Sequence, residues 1–273
     1  MMAFPATQAI WLAVALTVAG GCTGILAGLF GVGGGTVVVP VLYEVFKLYG
    51  VPEDTLMPLC IGTSLAVIVP TSISSFLGHY RKGAVDMTVL QRWLLPISIG
   101  VLLGVFTSSF AKPSLFKEVF IVVCLLLAVR LFTNKEKWRL SEHLPGRTAM
   151  ASYGLLIGSS ASLMGIGGGL VGNVVLTLYS FPIHSAVATA SGIGLIVSIP
   201  GALGYVVSGW GQPGLPPLSA GYVSIIGFAL LTPLSLLTVR HGVKLAHRMS
   251  KREMELALAT YLLLISLRFA VTI

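Results

Sequence analysis

Residues 9–30, 222–239 and 256–273 read AIWLAVALTVAGGCTGILAGLF, YVSIIGFALLTPLSLLTV and LALATYLLLISLRFAVTI. Runs of about 20 apolar residues are long enough to cross a bilayer as helices. No water is available there to satisfy backbone polar groups, so each run must close its own hydrogen bonds. Only 10% of the 273 residues are charged, against about 25% in a soluble domain. The expected fold class is therefore all-α, a polytopic membrane protein, with no room for a sizeable soluble catalytic domain.

Two of the apolar stretches are broken in the same way. LFGVGGGTVVVP spans residues 29–40 and LMGIGGGLVGNV spans 163–174. Glycine is the poorest helix former after proline, so each triple glycine should end one helix and start another. Eight long spans are expected at 8–30, 58–80, 93–110, 115–132, 148–164, 186–207, 219–239 and 253–272. Two short segments, 36–48 and 170–181, each follow a glycine run.

Lys and Arg are enriched in cytoplasmic loops, and the net charge of +8 is first a topology signal. Residues 80–92, 130–147 and 240–252 carry the basic clusters, whereas SGWGQPGLPPLS (208–219) has no charge. With 130–147 inside and 208–219 outside, the chain must return through each short segment. Each half then makes five passes. The second half is inverted relative to the first, and both termini face outward. The expected organisation is a first transmembrane repeat at 1–133, a cytoplasmic linker at 134–147 and a second repeat at 148–273. GVGGG pairs with GIGGG, Ser64 with Ser191, and RLF (130–132) with LRF (267–269). Inverted repeats with broken helices are a recurrent architecture of secondary transporters, with the substrate site near the midplane.

A helix restarting inside a membrane offers free amides and a partial positive charge, which suit an anion. Gly33, Gly34 and Gly35 with Thr36, and Gly167, Gly168 and Gly169, are candidates for such amide-rich ends. Thr63, Ser64, Asn173, Thr189 and Ser191 are the small polar side chains expected beside them; helix–helix hydrogen bonding is the plainer role for each. The nine carboxylates fall in loops or near helix ends, apart from Glu44 in the first short segment. With none at a helix centre, a cation antiporter is disfavoured. His79 and His184 lie near membrane edges, where packing competes with substrate or proton contact. Cys22, Cys60 and Cys124 are isolated in apolar runs and read as packing residues. No catalytic motif, metal-ligand cluster or dinucleotide fingerprint is present, so neither enzyme activity nor a cofactor is expected. No basic stripe suggests nucleic acid.

GLFGVGGGTVVVPVL (28–42), GTSLAVIVPTSISSFLGHYRKGAVD (62–86) and GIGGG (165–169) resemble the TauE/SafE family of membrane transporters, also called the sulfite exporter or TSUP family. The layout is similar over essentially the whole chain. The resemblance implies a carrier in the bacterial inner membrane that exports a small sulfur-containing anion, such as sulfite, sulfoacetate or a related organosulfonate. Uptake of a sulfur compound such as thiosulfate and an anion channel are the alternatives. Val174 stands opposite Pro40 and Asn173 opposite Val39, so the two half-sites differ.

Reporter fusions test the topology. A fusion after Val207 should report the outer side and one after Leu140 the cytoplasm. Both on one side would remove the five-plus-five arrangement.

Overall fold

The computed structural model describes residues 6–31, 33–110, 113–133, 140–141 and 144–271. These form ten α-helices and one two-stranded hairpin: α1 (Ala6–Phe30), α2 (Gly35–Leu48), α3 (Glu53–Tyr80), α4 (Met87–Ser108), α5 (Pro113–Thr133), α6 (Arg147–Met164), α7 (Gly169–Leu178), α8 (Ile183–Ser208), β1 (Ser219–Ala220), β2 (Val223–Ser224), α9 (Ile225–Ala246) and α10 (Lys251–Val271). The protein is an all-α polytopic membrane protein. Five described helices are long and apolar enough to cross a bilayer: α3, α4, α8, α9 and Ala13–Phe30 of α1. Of the other three expected long spans, α6 is rich in Ser and Gly and does not reach that standard, while α5 (Pro113–Thr133) and α10 (Lys251–Val271) are each 21 residues long. Most of the expected 134–147 linker lies outside the described residues.

Both short segments form helices beginning at the third glycine of their run. The expected start of the ninth helix, at 219, is six residues early. Residues 219–224 instead make the β1–β2 hairpin, with Ser219 paired to Ser224 and Ala220 to Val223. The Ser224 hydroxyl then caps α9 by accepting from the Gly227 amide at 3.2 Å. Ser at an N-cap satisfies one of the orphan donors of the first turn. The uncharged loop is thus folded against the helices. Tyr222 donates its amide to the Tyr205 carbonyl of α8 at 3.0 Å, and its ring meets that of Tyr205 edge-on.

Packing is reciprocal between the halves. α1 lies on α9 and α4 on α6, while α3 meets α8 and α5 meets α10. In each of the first two pairs a stripe of small residues brings backbones together. Cβ atoms on Gly20, Gly24 and Gly28 of α1 would run into the carbonyls of Leu231, Ser235 and Val239 of α9. Cβ atoms on Gly100 of α4 and Gly158 of α6 would likewise run into the carbonyls of Leu155 and Ile97. Partner numbers rise together along α1 and α9, and from Gly100–Leu155 to Gly104–Ser159 along α4 and α6, so these helices run parallel. On α3 and α8 they run oppositely: Gly62 faces Tyr205, Gly201 faces Leu65, and Gly194 faces Ser72.

In lipid, association depends on packing and interhelical hydrogen bonds, the latter averaging about 0.6 kcal/mol each. Ser235 donates to the Gly20 carbonyl at 2.7 Å and Thr238 to that of Gly21 at 2.8 Å. Trp93 donates its indole N–H to the Met150 carbonyl at 2.9 Å across α4 and α6.

Replacing Gly24 or Gly158 with Val should lower unfolding free energy by about 1–3 kcal/mol or more, as expected for overpacking. Gly21→Ala should cost less, because its nearest neighbour is the Leu234 side chain at 3.1 Å rather than backbone. Denaturant or thermal unfolding of the purified variants checks the order.

Candidate functional site

Each break is built from glycines in left-handed backbone. Gly31, Gly33 and Gly34 have φ of 65°, 74° and 75°; Gly165, Gly167 and Gly168 have 68°, 66° and 71°. A side chain at such angles costs about 1–2 kcal/mol, so the glycines allow the chain to turn sharply and restart. Val32 lies outside the described residues. Gly34 is the N-cap of α2 and Gly168 that of α7, and neither end has a side-chain cap. The amides of Leu170 and Val171 at the start of α7 have no backbone acceptor among the described residues.

The breaks meet one another. Gly35, the first residue of α2, is seated so closely on the second break that a Cβ would strike the Gly165 carbonyl. Gly169, the first of α7, is seated in the same way on the Gly31 carbonyl. The sequence thus placed two helix starts in matching positions, and the fold brings them together. Ser64 of α3 donates to the Gly165 carbonyl at 2.8 Å. On the opposite side Gly31 lies against Val187 and the Ser191 amide of α8, while the Ser191 hydroxyl donates to the Ala188 carbonyl at 2.6 Å. Gly33, Gly34, Gly35, Gly167, Gly168, Gly169, Ser64 and Ser191 therefore form one buried centre.

The other candidates are engaged differently. The Thr63 hydroxyl accepts from the Ser224 amide at 2.9 Å, and the Thr189 hydroxyl accepts from the Asp86 amide at 3.0 Å. Ser224 and Asp86 are the N-caps of α9 and α4. Both threonines thus tie α3 or α8 to the start of a helix. Thr36 is buried beside Tyr261 of α10. Asn173, in α7, is buried, and its Oδ1 has no partner among the described residues.

The sequence model of the family described as sulfite exporter TauE/SafE matches residues 16–269. The chain belongs to the TauE/SafE family. It is 31% identical to a "Probable membrane transporter protein" of Haemophilus influenzae, over 91% of this chain and 94% of that one. A protein with the same description from Methanocaldococcus jannaschii is 26% identical over 90% and 91% of the two chains. One from Bacillus subtilis is 28% identical over 72% and 79%. No solved structure matches. This TauE/SafE protein is accordingly a membrane transporter.

Its short helices are also held at their far ends, each from the other half of the chain. Arg130 of α5 donates to Thr177 of α7 at 2.9 Å, and Arg268 of α10 pairs with Glu44 of α2 at 3.2 Å. These are the arginines of the RLF and LRF echo. Glu44 is thereby paired with a cation.

Three histidines form a group that separate sequence positions did not reveal. His79 at the end of α3 hydrogen-bonds the Gly28 carbonyl of α1 through Nε2 at 3.1 Å. Its Nδ1 lies 3.2 Å from His247 Nε2. A carbonyl only accepts, so His79 Nε2 carries the hydrogen. In its neutral form His79 therefore accepts from His247 at Nδ1. The His184 ring stacks on His247 with centroids 6.1 Å apart. Burial first, then the nearby Lys82 and His184, hold the His247 imidazole below its ordinary value. His247 follows the last residue of α9, in a basic run where sequence reading saw only topology.

Glycine-to-alanine changes separate conformational cost from crowding. Gly50 and Gly83 also have positive φ, 71° and 67°, with nothing within 4 Å of the point where a Cβ would sit. Gly50→Ala and Gly83→Ala should lose about 1–2 kcal/mol. Gly34→Ala should lose more, since its methyl would overlap Thr23, whose carbonyl oxygen would lie 2.6 Å away. Thermal unfolding of the three variants measures the difference.

Proposed function

We propose that this transporter is a carrier that exports a small sulfur-containing anion, such as sulfite, sulfoacetate or a related organosulfonate, across a bacterial inner membrane. The observation that carries the reading is the mutual seating of the breaks, Gly35 on Gly165 and Gly169 on Gly31. Two uncapped helix starts meet in the buried interior, and their amides and partial positive charge suit an anion. The described carboxylates lie away from this centre. Glu44 is drawn to Arg268, and Glu255 lies 3.7 Å from Arg252 near the start of α10. The family's description supplies the sulfur oxyanion as the first substrate class to try.

The carrier would consist of two inverted five-helix halves, 1–133 and 148–273, joined by a cytoplasmic linker at 134–147. Reciprocal packing and the antiparallel course of α3 and α8 support that arrangement. The lipid bilayer is the surrounding partner, and no nucleic acid or cofactor enters the reading. Close backbone packing at the centre favours a carrier over an open channel. Thiol-relay uptake has less support, since Cys22, Cys60 and Cys124 are free and stand on three different helices.

Purified protein should be stabilised by its substrate. A ligand at 100 times its Kd adds about 2.7 kcal/mol, which corresponds to a Tm rise on the order of 5–10 °C for a chain of this size. Sulfite and small sulfonates should raise Tm, whereas chloride and carboxylates of matched size should do so weakly. No shift with any sulfur anion would count against the substrate class.

A further inference from the structure

Hydroxyls in transmembrane helices ordinarily return their hydrogen to a carbonyl one turn back. Thr17, Thr71, Ser98, Ser160 and Ser266 all do so here. Ser72 does not. It is fully buried in α3, and its Oγ has no partner among the described residues. An unpartnered buried hydroxyl carries its desolvation cost without return, about 1–3 kcal/mol, so its persistence calls for a physical reason.

Its position suggests one. The Ser72 Oγ lies 3.3 Å from where a Cβ on Gly33 would sit and 2.5 Å from the same point on Gly194 of α8. The Gly167 carbonyl is 3.7 Å from that Gly194 point. The hydroxyl therefore occupies a niche between the first break and α8, beside the second break. Thr23 of α1 packs its methyl on Gly34 and also has a fully buried hydroxyl without a partner among the described residues. Gly168, the counterpart of Gly34, is flanked instead by Ile157, Ile193 and Val197. Two unsatisfied hydroxyls thus border the first break, where the second has aliphatic walls.

We propose that Ser72 is a substrate-positioning residue that donates a hydrogen bond to an oxygen of the transported oxyanion at the first break. The anion is then held asymmetrically, with Ser72 supplying a directional donor and the start of α2 supplying amides. This inference rests on the proposed anion transport and names the side chain that carries selectivity within it. A hydroxyl donor suits sulfite and sulfonate oxygens alike, and favours either over a halide of the same charge.

The test measures sulfite and methanesulfonate affinity together with Tm for wild type, Ser72→Ala, Ser72→Cys and Thr71→Val. Loss of a hydrogen bond to a charged oxygen corresponds to an affinity loss of about 10- to 150-fold. Ser72→Ala should show that loss with Tm unchanged or raised, because no internal hydrogen bond is removed. Ser72→Cys keeps the side-chain shape, with a somewhat larger atom and a weaker donor, and should also bind more weakly, which covers the case in which alanine disturbs the fold. Thr71→Val removes a back-bonded hydroxyl next door and should keep wild-type affinity. Wild-type affinity in both Ser72 variants would overturn the proposal while leaving anion transport standing. Failure of the wild type itself to bind either anion would overturn both.

Discussion

A helix broken inside a membrane leaves amides and carbonyls that lipid cannot satisfy. The remaining architecture answers that constraint. Each break is covered by the other: Gly35 lies on the Gly165 carbonyl and Gly169 on the Gly31 carbonyl. Only glycine allows this approach, because any Cβ would occupy the space of the opposing oxygen. The centre is closed by backbone meeting backbone, and α3 and α8 complete it through Ser64 at one break and Ser191 at the other.

The surrounding helices extend the same reciprocity outward. Thr63 ties α3 to the cap of α9, and Thr189 ties α8 to the cap of α4. Arg130 and Arg268 hold the far ends of α7 and α2. Small-residue stripes clamp α1 to α9 and α4 to α6. Individually these contacts are weak, on the order of 1 kcal/mol or less. Only the two arginines act on the short helices themselves, each at the end away from the breaks and each from the other half of the chain.

Symmetry is incomplete where chemistry would need a direction. The Gly62 stretch of α3 and the C-terminal end of α8 are covered by the β1–β2 hairpin and Tyr222. The C-terminal end of α3 meets α1 through the His79–Gly28 hydrogen bond, with His247 and His184 stacked beyond it. Ser72 and Thr23 border one break and aliphatic side chains the other.

Sequence alone determined the solvent, the helical class, the two breaks and, to within one residue, the starts of α2 and α7. Long apolar runs and triple glycines are local signals whose physics does not depend on partners. It named Ser64 and Ser191 among six small polar residues beside the breaks, and the fold seats these two there. It could not separate them from Thr63 and Thr189, one and two residues away. On a helix a single position turns a side chain by about 100°, so a hydroxyl can face a break or a cap. The start of α9 was missed because residues 219–224 carry no charge or proline to mark a boundary, and their hairpin depends on packing against α8. His247 and Ser72 were invisible for a related reason. A histidine in a basic loop and a serine in a serine-rich helix are unremarkable until another helix places a ring or a glycine against them. Only the tertiary structure decided which polar groups found partners and which were left bare.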